Sequence, residues 1–185
     1  MVDTSDEWIL SRTGIEKRHL VSDGEATSDM CKEVALELLK KSNKDPEEID
    51  LILVATSTPD VPVVSTAALV QDKIGAKNAW GYDIVAACTG FVYALETGAK
   101  LVESGKYKNV IVIGADTMSS IIDYTDRNTC VIFGDGGGGV LLEPSDNDCG
   151  VLDSILLADG SGHKYLTVPA GGSLRPATKE TIDKK

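Results

Sequence analysis

A chain of 185 residues with 42% hydrophobic content is long enough to close a substantial core, in one ordinary domain or in part of a larger one, which argues against a disordered polypeptide. Its net charge of −11 is spread along the sequence rather than blocked into a tail, so a nucleic-acid partner is disfavoured electrostatically. No apolar run has the length of a bilayer span, the first residues are acidic and polar, and Cys31, Cys88, Cys130 and Cys149 lie far apart without a C-x-x-C pair. The sequence therefore predicts a soluble protein of the reducing cytoplasm with no membrane partner, no disulfide framework and no metal site.

In chain order, Thr4 with Glu7 forms a capping-box pattern ahead of Trp8, Ile9 and Leu10, and Gly14 supplies a stop, which predicts a short helix. From Ser28, the residues Met30, Cys31, Val34, Ala35, Leu38 and Leu39 recur at helical spacing, predicting an amphipathic helix through Lys41. Asp45-Pro46-Glu47-Glu48 reads as a capped single turn with proline in its first position, leading into a buried strand over 51–55. A second helix is expected over 65–73, stopped by Gly75, then a strand over 80–85. A helical pattern follows over 89–104 with Gly105 at its end, and residues 109–115 form a continuous apolar strand of the parallel-sheet kind. Beyond it, strands are expected over 129–133, 140–143 and 151–157, the first two joined by a glycine run. The alternation predicts an α/β fold with a mainly parallel, mixed sheet packed by helices, ending in strands that pair antiparallel.

Cys88 carries the chemistry in this pattern. It sits where an apolar strand runs into a helix, and the unsatisfied N–H groups of a helix start favour thiolate over thiol. Position alone leaves a buried core cysteine as the commoner outcome. The run Gly134-Asp135-Gly136-Gly137-Gly138-Gly139 satisfies G-x-G-x-x-G, yet Val140-Leu141-Leu142-Glu143 after it is strand-like, so no helix opens at the glycines to face a pyrophosphate and the dinucleotide reading is rejected. Close backbone approach, to another layer or to the thiol, is the better use of those glycines. His19 and His163 are the only imidazoles, and neither is paired by sequence to the cysteine. Trp8 and Arg12, four apart on a helix, bring an indole and a guanidinium side by side, either stacked on each other or offered to a flat ring with a phosphate.

Taken in order, Thr4-Ser5-Asp6-Glu7-Trp8-Ile9 with Arg12-Thr13-Gly14-Ile15, then Ala86-Ala87-Cys88-Thr89-Gly90-Phe91, then Thr125-Asp126-Arg127, then Phe133-Gly134-Asp135-Gly136, resemble β-ketoacyl-acyl-carrier-protein synthase III. The resemblance runs through essentially the whole chain and implies a thiolase-like fold. That family is nearly twice as long and built from two similar halves, so residues 1–185 look like its N-terminal half, without the opening strand and without the C-terminal half. It also implies that Cys88 accepts an acyl group, typically acetyl, from an acyl-coenzyme A. Decarboxylated malonyl-acyl-carrier protein then attacks the thioester in a fatty-acid-initiating condensation. By the same resemblance, Trp8 and Arg127 sandwich the adenine, Thr4 and Arg12 make further coenzyme A contacts, Phe133 lines the tunnel for the pantetheine arm, and Val63 lies near the acyl pocket and a homodimer contact. Coenzyme A thioester is substrate there, and no cofactor or metal is implied. Two positions depart from the pattern: Asn128 stands after Arg127 where the family usually has glycine, and Val63-Val64 stands where many members carry an aromatic followed by proline. The family's condensing histidine and asparagine have no counterpart among these residues. Alternatives of the same chemistry are a 3-hydroxy-3-methylglutaryl-coenzyme A synthase or a polyketide-type synthase; one of another class is a non-catalytic acyl-coenzyme A binding or dimerisation module.

Overall fold

A computed structural model describes residues 2–147 and 150–183. The chain divides into two compact units, Met1–Ser154 and Ile155–Lys185.

The first unit is built on a four-stranded sheet of β1 (Leu51–Ala55), β2 (Trp80–Ile84), β3 (Val110–Asp116) and β4 (Gly136–Leu142), in the order β2-β1-β3-β4. β1 pairs parallel with β2 and with β3, and β4 runs antiparallel to β3. Strand periodicity sorts the apolar side chains to two faces. Ile52, Val54, Ile111, Ile113 and Ala115 pack with Cys31, Ala35 and Leu39 of helix α2 (Thr27–Ser42) and Ala67, Val70 and Ile74 of α3 (Thr66–Ile74). Leu51, Leu53, Ala55, Val110 and Val112 pack on the other face with Ala94 and Val102 of α4 (Gly90–Glu103). All five β1 residues are buried. Each fully buried Leu, Ile or Val stabilises the fold by about 1.5–3 kcal/mol, so a charge at Ile52 would be among the most damaging single changes.

Carboxylates of the loops and strands hold the helix starts. Asp60 accepts from the Ser28 N–H (2.8 Å) and hydroxyl (2.6 Å) at the start of α2, and Asp83 accepts from the Thr66 and Ala67 N–H groups (2.6 and 2.9 Å) at the start of α3. Negative charge at these N-termini satisfies orphan donors and opposes the helix dipole favourably. Helix α1 (Asp6–Thr13) is capped by Ser5, whose Oγ accepts from the Trp8 N–H at 3.2 Å, so the cap is one residue later than the Thr4 pattern predicts. It ends at Gly14 with φ 69.

The helices and strands expected up to residue 116 are present within a residue or two of their expected bounds, and the last strands differ. Residues 129–133 form no strand and 129–132 form turns, because Asp126 accepts from the Asn128 N–H (3.0 Å) and the Thr129 hydroxyl (2.7 Å) and its carbonyl takes the Cys130 N–H (3.0 Å), satisfying the backbone locally. The glycine run does not join two strands; it is the first half of β4, with Gly136–Gly139 paired to Asp116–Ile113. Gly139 shows why: a Cβ there would lie 2.6 Å from the Val112 carbonyl oxygen and 3.0 Å from Val34 of α2. Residues 151–157 form no strand, and Leu152, Ile155 and Leu157 are exposed.

The second unit contains a 3₁₀ turn at Gly160–Gly162 and a short helix, α5 (Lys179–Asp183). Among the described residues, no helix is long and apolar enough to cross a membrane.

Candidate active site

Because β1, β2 and β3 are parallel, their carboxyl ends emerge along one edge of the sheet, and the antiparallel β4 begins at that same edge. Open α/β sheets place their ligand sites there. Cys88 follows β2 in a 3₁₀ turn, Ala87–Thr89, that opens directly into α4. The turn is tight enough to put Ala87 at φ 46, a left-handed conformation that is uncommon outside glycine. The Thr89 hydroxyl donates to the Ala86 carbonyl at 2.8 Å and braces it. Cys88 is exposed.

The thiol lines a cavity of about 640 Å³ with Ala55 from the end of β1, Gly114 and Asp116 from the end of β3, and Gly134, Asp135 and Gly138 from the entry into β4. Its walls are mainly small residues, so main chain comes close to the cavity, as the glycine-run reading anticipates. Asp116 ties the strand ends together: one oxygen accepts from the Thr56 hydroxyl (3.1 Å), the Ser57 N–H (2.7 Å) and the Thr58 hydroxyl (3.1 Å). Behind it the buried hydroxyls of Thr27, Thr58 and Thr117 are joined, with 2.8 Å between Thr27 and Thr117. Asp135 accepts from the Val21 N–H (2.9 Å), the Ser119 N–H (2.8 Å) and the Ser119 hydroxyl (2.6 Å). Burial alone would push its carboxyl up, but these donors outweigh it and hold it below the ordinary carboxylate value.

The other cysteines have different settings. Cys31 is fully buried, and burial, with Asp60, Asp83 and Asp116 adding repulsion, pushes its thiol up to about 12. Cys130 is half-buried, and Cys149 lies outside the described residues.

Trp8 is the centre of a second cluster. The Arg12 guanidinium lies 4.4 Å from the indole centroid, as the helical spacing suggests, and Arg127 lies 4.1 Å from it. The Arg127 Nε–H also donates to the Asp3 carbonyl at 2.6 Å. Trp8 and Arg127 are thus brought together, in direct contact with each other. Thr4 is exposed just ahead of α1, Arg12 is exposed on it, and Phe133 is half-buried next to Gly134 without itself lining the Cys88 cavity. Val63 does not line that cavity either and is 104% exposed in the loop between β1 and α3. His19 is exposed and takes part through its carbonyl, which accepts the Asp135 N–H at 2.7 Å. In the second unit, His163 is exposed, with Nδ1 3.2 Å from the Gly160 carbonyl. Among the described residues no group of three or more His, Cys, Asp or Glu side chains is placed to hold a metal. No local pattern points to a role for Asp116, Asp135 or Ser119; Gly134-Asp135-Gly136 marks only the place, because the partners of Asp135 are remote in sequence.

The profile of the family described as 3-oxoacyl-[acyl-carrier-protein (ACP)] synthase III matches residues 82–160, which include the cysteine turn and β4. The β-ketoacyl-[acyl-carrier-protein] synthase III of Chlorobium phaeovibrioides is 58% identical over 186 residues, covering 99% of this chain and 56% of that protein. The crystal structure of β-ketoacyl-[acyl carrier protein] synthase III from Thermus thermophilus superposes with a TM-score of 0.87 at 40% identity, over 97% of this chain and 55% of that one. The corresponding Aquifex aeolicus structure gives 0.75 at 48% identity, over 78% and 47%. The chain thus spans a little over half the length of the curated relatives it matches. Sequence and fold agree: along essentially its whole length this chain is a relative of the β-ketoacyl-acyl-carrier-protein synthase III family, with that family's thiolase-like fold.

Proposed function

We propose that this chain is the N-terminal, acyl-accepting half of a fatty-acid-initiating condensing enzyme, an acyltransferase in which Cys88 is the nucleophile. The observation that carries the reading is the exposed thiol at the start of α4, held by a strained turn in a cavity at the carboxyl ends of the parallel strands. In the proposed first step the Cys88 thiolate attacks the carbonyl carbon of an acyl-coenzyme A, acetyl-coenzyme A in the simplest case. The carbon–sulfur bond to coenzyme A breaks, coenzyme A leaves as a thiolate that takes up a proton, and the acyl group stays on Cys88 as a thioester. In the second step malonyl-acyl-carrier protein loses carbon dioxide, its carbanion attacks the Cys88 thioester, the Cys88 thiolate is released and a 3-oxoacyl-acyl-carrier protein forms.

The relatives' names favour this reading over the hydroxymethylglutaryl-type and non-catalytic alternatives. Trp8, Arg12 and Arg127 are the proposed nucleotide end of the site, with a guanidinium giving way to the adenine, and Thr4 and Phe133 are proposed further contacts of the coenzyme. His19 does not line the Cys88 cavity, and by the resemblance the decarboxylation step uses a histidine and an asparagine that have no counterpart among these residues. Both proposed partners are cytoplasmic molecules, and the exposed Val61, Val63 and Val64 are the surface proposed for a homodimer contact. Mass mapping after brief exposure to acetyl-coenzyme A tests the reading. A single acetyl group is expected on Cys88, and acetylation first on Cys31 or Cys130, or on no cysteine, would sink it.

A further inference from the structure

Asp135 stands where three segments meet. Its carboxylate takes the Val21 N–H from the segment that follows α1 and both donors of Ser119 from the turn that follows β3, while its own N–H is given to the His19 carbonyl at 2.7 Å. The residues on either side of it, Gly134 and Gly136, line the cavity that holds Cys88. The contact is tight: a Cβ at Gly134 would lie 3.1 Å from both the Arg18 Cβ and the His19 carbonyl oxygen. Arg18 is itself braced, donating to the Ile15 carbonyl at 2.7 Å and to the Thr13 hydroxyl at 3.2 Å. The segment after α1 is therefore held at both ends, by Arg18 back to Thr13 and Ile15 and by His19 and Val21 to Asp135.

We propose that Asp135 is a positioning residue for the chemistry at Cys88: by latching the 15–21 segment and Ser119 to the entry of β4, it holds the glycine wall at the distance from the thiol that an incoming thioester needs. The proposal rests on the reading of Cys88 as acyl acceptor. Glycine and alanine make up most of the cavity wall, so a wall displacement of the order of 1 Å is enough to misplace a reacting carbonyl. A small reagent that reaches the exposed thiol from solvent needs no such wall. This separates positioning from mere access to the thiol.

The test measures two rates at Cys88 by mass spectrometry in this chain, acetyl transfer from S-acetyl-pantetheine over a range of concentrations and alkylation by iodoacetamide. The variants are D135N, D135A and S119A, the last removing one donor from the latch while leaving the carboxylate. Expected is a loss of at least about tenfold in the saturating acetyl-transfer rate in D135N and D135A and of a few-fold in S119A, the half-saturating concentration and the iodoacetamide rate each staying within about twofold. Equal loss of both rates, or acetyl transfer unchanged in D135N and S119A, would overturn the proposal. If D135A does not fold, as judged by circular dichroism, S119A and D135N decide. Wild-type chain that is alkylated at Cys88 but takes no acetyl group overturns the acyl-acceptor reading itself and the positioning role with it, whereas transfer by the wild type with no response in the variants overturns the positioning role alone.

Discussion

Cys31 and Cys88 are the same side chain in two environments made by the same sheet. Cys31 lies within α2, fully buried against β1 and β3, where burial and three nearby carboxylates push the thiol up to about 12. Cys88 lies at the other kind of position, in the turn between β2 and α4 at the edge where the parallel strands end, exposed and beside a cavity. What separates the packing cysteine from the accessible one is therefore placement along the helix and the sheet rather than the residue type.

The largest expected effect comes from removing the exposed member of the pair. Cys88→Ala is expected to lower acyl capture from acetyl-coenzyme A at least ~1,000-fold with little change in far-ultraviolet circular dichroism, because the lost side chain packs against little. Comparable capture at another cysteine would break the comparison. The buried member gives the converse. A thiol moved from 9.0 to about 12 holds about a thousandfold less thiolate at a given pH below both values. Iodoacetamide at neutral pH is therefore expected to modify Cys31 only after denaturant is added, and its labelling in the native chain at a rate near that of Cys88 would contradict the burial argument.

The cluster of Arg12 and Arg127 around Trp8 sharpens the exposed side of the comparison. Trp8→Ala is expected to weaken coenzyme A binding by about 1–3 kcal/mol, the scale of one stacked base, while leaving transfer from truncated pantetheine thioesters nearly unchanged. Equal losses for both donors in a titration would make Trp8 structural. A smaller effect appears in acid. Asp135 and Asp29, the latter donated to by Lys73 and the Ala26 N–H, have carboxyls held below their ordinary value in the folded chain. The unfolded chain therefore takes up protons first, so this stabilisation is complete above the ordinary carboxylate range and is lost as pH falls through the depressed values, below about 4. Urea midpoints are expected to be flat from neutral pH to about 5 and then to fall, with a shallower fall in D135N; midpoints that rise on acidification would reverse the assignment.

The smallest effect belongs to Val63, a β-branched residue at φ 83 with full exposure. Val63→Gly should relieve about 1–2 kcal/mol of left-handed backbone strain and give back part of it, about 0.5–1 kcal/mol, as chain entropy. A small net stabilisation is expected in a denaturant melt, and a clear destabilisation would show that the valine side chain makes contacts that its exposure conceals.

Local chemistry made much of this molecule readable in one dimension. The apolar spacing of α2 and α4, the five apolar residues of β1, Ser65 and Gly75 around α3 and the strand-to-helix step at Cys88 are patterns over a few residues, and the forces behind them act over the same range. The failures have the same origin in reverse. Residues 129–133 carry strand-like side chains, yet Asp126 takes the Thr129 and Cys130 N–H groups and Thr129 takes that of Ile132 in turns, and the glycine run has no side-chain signal at all, because it is a strand only through its pairing with β3 and its contact with α2. The meeting of Arg127 with Trp8, and of Asp135 with Val21 across 114 residues, is decided by how the sheet brings remote segments to one edge. Sequence by itself determined the elements up to β3 and the strand-to-helix step at Cys88, because periodicity and capping are local; tertiary structure alone decided β4 and which groups surround that thiol, because non-local hydrogen bonds and main-chain contacts leave no trace in the spacing of residues.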